Sequence, residues 1–179
     1  MRNNFTDTAL LILDVQNGWA FDTYDCYAVF DNINLLAGRA RAADIPVIYV
    51  CDYTNPEAGR YTPWELEIVE AIAPDSKDMI IGKEYVRDVL DETTRVEEVL
   101  KKKKVGFLVV CGMTSGACVN GTSLGALQRG YGLIIPSDGH SIDTVRGIYK
   151  KSPVEVIKDF NTSWAELGAI VMQARDIYF

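Results

Sequence analysis

One thiol in this chain sits where a nucleophile could be made. Cys118 follows an apolar run, Phe107 to Cys111, and a turn of small residues, Gly112-Met113-Thr114-Ser115-Gly116-Ala117; it opens a helical pattern that extends to about Gln128. Backbone N–H groups at a strand-to-helix turn favour an anion, so a thiol there is placed to lose its proton and attack a carbonyl carbon. The N–H groups of the same turn could hold the oxyanion that such an attack creates. Two other residues could serve the thiol. Asp14 directly follows the apolar run Thr8 to Leu13, where partial desolvation makes a carboxylate a better base. Lys83 follows the run Met79 to Ile81, and an ammonium there could pair with Asp14 and stabilise a thiolate. Taken singly, each has a plainer reading: a buried structural Cys, a turn-forming Asp, a solvated Lys. It is the combination that points to nucleophilic catalysis.

Other groups carry less. Cys26, Cys51 and Cys111 lack a comparable setting, and the last two belong to apolar runs that read as core. His140 is the only histidine; it follows the run Leu133 to Ile135 beside Asp138, and a loop or cap position suits it. Trp19, Phe21, Tyr53, Tyr61, Trp64 and Tyr85 all fall in presumed loops, where they could line a small-molecule pocket or pack between elements. Trp19, Tyr53 and Tyr85, with Met113 of the small-residue turn, are the candidate substrate-binding side chains.

These residues need a scaffold that brings them together. Continuous apolar runs of strand length recur at Thr8–Leu13, Val47–Cys51, Met79–Ile81, Phe107–Cys111, Leu133–Ile135 and Ala169–Met172. Runs apolar on both faces suit central strands of a parallel sheet. Helical spacing separates them. Val29, Ile33, Leu36 and Ala40 share one face of a helix over 27–43; further helices are predicted over 64–72, from 93 or 94 to 102, and over 118–128. Ser152-Pro153-Val154-Glu155 is a helix start with a capping box, with Val154, Ile157 and Phe160 predicted to face inward; Ser163-Trp164-Ala165-Glu166 resembles a second such start, so one helix or two are possible. Strands alternating with helices predict a three-layer αβα fold with a mostly parallel, about six-stranded Rossmann-like sheet, and one domain over residues 1–179. Ligands of such sheets bind at the carboxyl ends of the strands. That rule selects Asp14, Asp52, Lys83, the 112–118 turn and Asp138.

Composition narrows the partners. The 179 residues suffice for a sizeable core, and 48% apolar with 24% charged residues is ordinary for a globular chain. A formal charge of −7 without a basic stripe argues against nucleic acid, and Lys101 to Lys104 read as a solvated helix end. No secretory signal or membrane-length run is visible, so a cytoplasmic protein with reduced thiols and no membrane partner is expected.

The segments LLILDVQNGW, IIGKEY and VVCGMTSGACVNGTSLGALQRGY together resemble the isochorismatase-like cysteine hydrolase superfamily, which includes nicotinamidases and related small-amide hydrolases; the resemblance runs from about Ala9 to the C-terminus. It implies a catalytic triad of Asp14, Lys83 and Cys118, a cis peptide between Met113 and Thr114, and an oxyanion hole made by the Thr114 and Cys118 N–H groups. It also implies hydrolysis of a small-molecule carboxamide, a C–N bond other than a peptide bond, and a homo-oligomer, dimer or tetramer. Metal-dependent nicotinamidases carry an Asp and histidines after the second strand. Here CDYTNPEAGRYTPW keeps Asp52 but holds no His, so no catalytic metal and no cofactor are expected. Ser115 replaces the usual Thr, Gly116 the usual Asp, and Trp19 the usual Phe. Two other activities exist within the family: vinyl-ether hydrolysis, whose enzymes lack the Cys, and non-catalytic scaffolding. The loops at 52–63 and 84–91 are where specificity is expected.

Overall fold

The computed structural model describes residues 7–53 and 61–179. Most of the 52–63 loop lies outside the described residues. β1 (Thr8–Leu13), β2 (Val47–Asp52), β3 (Met79–Lys83), β4 (Phe107–Met113) and β5 (Gly132–Pro136) are joined by two short strands, β6 (His140–Ser141) and β7 (Ile170–Met172). All pairings are parallel, in the order β3-β2-β1-β4-β5-β7, with β6 paired to β4.

All six residues of β1 are buried, because both faces of the sheet are covered. Successive side chains of a strand point to opposite faces. Leu10 and Ile12 accordingly join one core, under helix α2 (Cys26–Ala42), which follows the single-turn α1 (Asn17–Ala20), while Ala9, Leu11 and Leu13 join the other. That second core lies under α4 (Val96–Lys102), α5 (Asn120–Gln128) and α6 (Pro153–Glu166). Val29, Ile33, Leu36 and Ala40 of α2 are all buried, as their spacing predicts. Truncating Ile33, which is fully buried, to Ala should lower the unfolding free energy by about 2–5 kcal/mol. Urea unfolding followed by tryptophan fluorescence would read this; a change near zero would mean that the helix face is not packed.

The structure departs from the predicted elements at three places. The sheet has seven strands instead of about six. The extra one, β6, pairs Gly112 with His140 and Met113 with Ser141, which extends β4 two residues beyond Cys111. The continuous helix predicted over 64–72 is instead α3 (Pro63–Leu66) and a single tight turn at Glu70–Ile72. Between them the chain is extended, since Gln16 bridges Ile68, and Asn17 N–H and Val69 N–H donate to Glu67 and Val15 carbonyls. Those bonds to a neighbouring segment replace helical ones. α6 is one helix started by the Ser152/Glu155 capping box; of the residues expected inward, Phe160 packs on the core, Ile157 is half-buried and Val154 is exposed, while Val156 and Trp164 are buried. Among the described residues no helix is long and apolar enough to cross a membrane.

Candidate active site

In the sheet order, the chain leads from β1 toward β2 and β3 on one side and from β4 toward β5 and β7 on the other. A crevice opens at the carboxyl ends of strands where the order reverses in this way. Asp14 directly follows β1, Asp52 ends β2, Lys83 ends β3, and the turn after β4 carries Thr114 to Cys118. A cavity of about 380 Å³ occupies this place, and Asp14, Asp52, Lys83, Thr114 and Cys118 all line it.

Local backbone sets each group. Asp14 lies in the left-handed region (φ 50), which Asp tolerates better than most residues and which turns the chain sharply at the strand end. Its N–H donates to the Val50 carbonyl, and its own carbonyl accepts from Trp19 Nε1 at 2.5 Å. Gln16 holds the neighbouring strand end: its Oε1 accepts from Asp52 N–H (2.7 Å), and its Nε2 donates to the Asp52 and Leu66 carbonyls. Gly112 approaches β1 so closely that a Cβ there would lie 2.2 Å from the Leu13 carbonyl oxygen, and its φ of 118 is glycine territory. That contact brings the Cys118 turn against the Asp14 strand. The Met113–Thr114 peptide is cis. Cys118 sits in a widened helical turn, Ser115–Val119, that leads into α5.

Lys83 Nζ lies 3.1 Å from Asp14 Oδ1, with both side chains almost fully buried. The ammonium meets this oxygen as a charge; among the described residues no well-aligned donor reaches Oδ1. The Cys118 thiol lies beside the Asp14 carboxylate and is electrostatically coupled to it. Burial raises the Asp14 pKa above its ordinary value of 3.8, against the pull of Lys83 and Cys118. Burial works against the Lys83 charge, but the negative Asp14, with Cys118 and Asp52, more than offsets it, so its pKa is raised. Burial together with Asp14 pushes the Cys118 thiol up to about 12, with Lys83 opposing. The sequence suggests a thiol whose pKa is lowered by helix and cation; in the folded chain the resting sulfur keeps its proton, because the adjacent carboxylate and the loss of water outweigh both.

Trp19 and Met113 also line the cavity. Tyr53 and Tyr85, the other two aromatics expected to bind substrate, are not among its lining residues. Side chains alternate at the end of β2, so Asp52 faces the cavity and Tyr53 faces away, lying over Gly82. At Tyr85 a left-handed backbone (φ 56) turns the chain and leaves the ring 60% exposed. Tyr61 takes an aromatic place in the wall instead, edge-on to Trp19 with centroids 5.5 Å apart.

Sequence reasoning missed Arg87, Asp143, Arg146 and Tyr149, which also line the cavity. Arg87 falls in the 84–91 loop where specificity is expected. The loop after β6 that carries the other three has no periodic pattern to signal it. The Tyr149 hydroxyl fills the space above Gly116, 2.0 Å from where a Cβ would be. His140 lies outside the wall. Its Nδ1 is 2.8 Å from Ser115 Oγ and its Nε2 3.0 Å from Asn161 Oδ1, and its ring stands edge-on to Trp164. Burial lowers its pKa to about 4, so the ring is neutral near pH 7 and braces the Cys118 turn from behind. Among the described residues no three His, Cys, Asp or Glu side chains gather as a metal-ligand set.

Residues 8–163 match the Isochorismatase domain family. Streptothricin hydrolase of Streptomyces noursei is 32% identical over 74% of this chain and 54% of its own length. A ureidoacrylate amidohydrolase of Pseudomonas syringae pv. syringae is 26% identical over 65% of this chain and 63% of its own. The chain spans about half the length of the streptothricin hydrolases it matches. A cysteine hydrolase structure from Pseudomonas syringae pv. phaseolicola superposes with a TM-score of 0.85, covering 98% of this chain and 92% of that one at 23% identity.

Proposed function

Since the chain belongs to the isochorismatase family, we propose that it is a cysteine hydrolase that cleaves the C–N bond of a small-molecule carboxamide through a thioester on Cys118. The observation that carries this reading is the buried Asp14–Lys83 ion pair with the Cys118 thiol beside the same carboxylate, all facing one cavity. The names of two relatives, one an amidohydrolase and one a hydrolase, fit it.

Asp14 takes the Sγ proton as sulfur bonds to the amide carbon, and the carbonyl electron pair moves onto oxygen. The Thr114 and Cys118 N–H groups hold that oxyanion. As the intermediate collapses, the C–N bond breaks and Asp14 returns the proton to the leaving nitrogen, so ammonia or an amine departs. A water then gives a proton to Asp14 while its oxygen adds to the thioester. The C–S bond breaks, the acid leaves, and Sγ regains its proton from Asp14. Lys83 stays charged throughout. It offsets part of the burial cost of the Asp14 carboxylate and so favours the ionised base. Trp19 and Met113 contact the substrate in this scheme.

Intact-protein mass spectrometry during turnover of a slowly hydrolysed amide should show the acyl mass on the protein, mapped to Cys118 by peptide digestion. An adduct on another residue, or ammonia release with no covalent species on any slow substrate, would contradict the scheme.

A further inference from the structure

The charged groups of the cavity wall do not all have partners. Asp14 and Lys83 neutralise one another at 3.1 Å, and Arg146 Nε lies 3.2 Å from Asp143 Oδ2. Arg87 has neither an ion-pair nor a hydrogen-bond partner for its guanidinium among the described residues, although the chain as a whole is acidic.

An arginine on an open helix face would be a solvated charge. Arg87 is held differently. Its carbonyl accepts from Thr122 Oγ1 (3.3 Å), and the Thr122 oxygen in turn accepts from Val89 N–H (3.2 Å). Gly121 lies directly against the Arg87 backbone: a Cβ there would be 2.8 Å from the Arg87 carbonyl carbon. One residue further along, Asp88 is tied at 2.8 Å to Arg129, just past the C-terminal end of α5. The segment carrying Arg87 is therefore docked on the first turns of α5, three and four residues after Cys118. A flexible loop would carry its charge anywhere; this one fixes the backbone of Arg87 at the cavity wall, so its side chain, which lines the cavity, reaches from a set point near the thiol. A guanidinium presents a planar fork of donors that matches a carboxylate.

We propose that the substrate of this site carries a carboxylate, which Arg87 binds while the scissile carboxamide lies over Cys118. The proposal rests on the reading of Cys118 as the nucleophile and narrows its substrate class to small amides of anionic acids.

Binding and turnover separate the two ideas. Malonamate, succinamate and glutaramate would be titrated calorimetrically into Cys118→Ala protein beside the neutral diamides malonamide, succinamide and glutaramide. At least one monoamide should bind at least about tenfold more tightly than its diamide. In Cys118→Ala/Arg87→Gln protein that preference should vanish, with diamide binding and the unfolding midpoint unchanged. Equal affinity for acid and diamide, no binding by any of the six, or a preference that survives Arg87→Gln would overturn the proposal. Ammonia release by the unmodified protein is measured in parallel. A carboxylate preference without hydrolysis would keep the anion site and remove the amidohydrolase reading, and hydrolysis without the preference would do the reverse.

Discussion

Cys118→Ala protein should fold as the parent does and lose amide hydrolysis by at least about 10³-fold, since removing a nucleophile removes the covalent route and leaves only binding and oxyanion stabilisation. Cys118 is only half-buried and its turn is held by other contacts, so the unfolding midpoint should barely move. The thiol pKa of about 12 has a further consequence for the parent protein. If a preformed thiolate were needed, activity would climb steadily into alkaline solution. If Asp14 removes the proton during attack, activity should rise through the raised pKa of Asp14, above the ordinary carboxylate value of 3.8, and then stay level. A kcat/KM profile measured over the range where the fold persists would distinguish these. A Cys118→Ala protein that still hydrolyses the same amide would end the nucleophile assignment.

Lys83→Met should be the most damaging change to stability among the site residues. The ammonium and the Asp14 carboxylate are each almost fully out of water, and removing one partner leaves the other buried without compensation. Such losses cost about 3–5 kcal/mol. The sign follows from the shifts. Asp14 already binds its proton more tightly folded than unfolded, so its contribution weakens folding as pH rises from about 3.8 toward its folded pKa. Without Lys83 that folded pKa moves higher still and the penalty grows over a wider range. In the parent, the raised pKa of Lys83 supplies stability that is fully present below 10.5 and lost only in strongly alkaline solution. The stability gap between parent and Lys83→Met should therefore be largest near neutrality and shrink as the solution is acidified through the raised pKa of Asp14, below which its carboxyl is protonated in both. Urea unfolding across this range reads the gap directly; a gap that does not vary with pH would mean that Asp14 and Lys83 are not energetically coupled. Activity should fall as well, because a protonated Asp14 cannot accept the thiol proton.

Strands that are apolar throughout leave little freedom of interpretation. Thr8–Leu13 and Phe107–Cys111 can satisfy two buried faces only in the centre of a covered sheet, and they pair in register from Thr8 with Phe107 to Leu13 with Gly112. The α2 stripe is equally direct, since Val29, Ile33, Leu36 and Ala40 return to one side every turn. Where local pattern and distant partner competed, the pattern lost. Trp64 to Ile72 has helical spacing, but its middle is bonded to the 15–17 segment, and a backbone group can be satisfied only once. In α6 the local spacing selected Val154, yet Trp164 is the larger apolar surface and its burial against His140 and Phe160 sets the rotation of the helix.

The amino-acid sequence alone determined the frame of the candidate site: which strands are central, that their carboxyl ends converge, and that an acid, an amine and a thiol stand at three of those ends. Each of these follows from properties that are local along the chain, namely hydrophobicity, period and adjacency to a strand end. Only the tertiary structure decided which aromatics face inward, that the resting thiol is protonated, and that Arg87 lines the cavity with no ion-pair or hydrogen-bond partner for its side chain among the described residues. These depend on distances between groups far apart in sequence and on how much water remains beside them. Tyr53 and Tyr61 are alike as letters, and they differ only in the side of the sheet end on which the folded backbone leaves them.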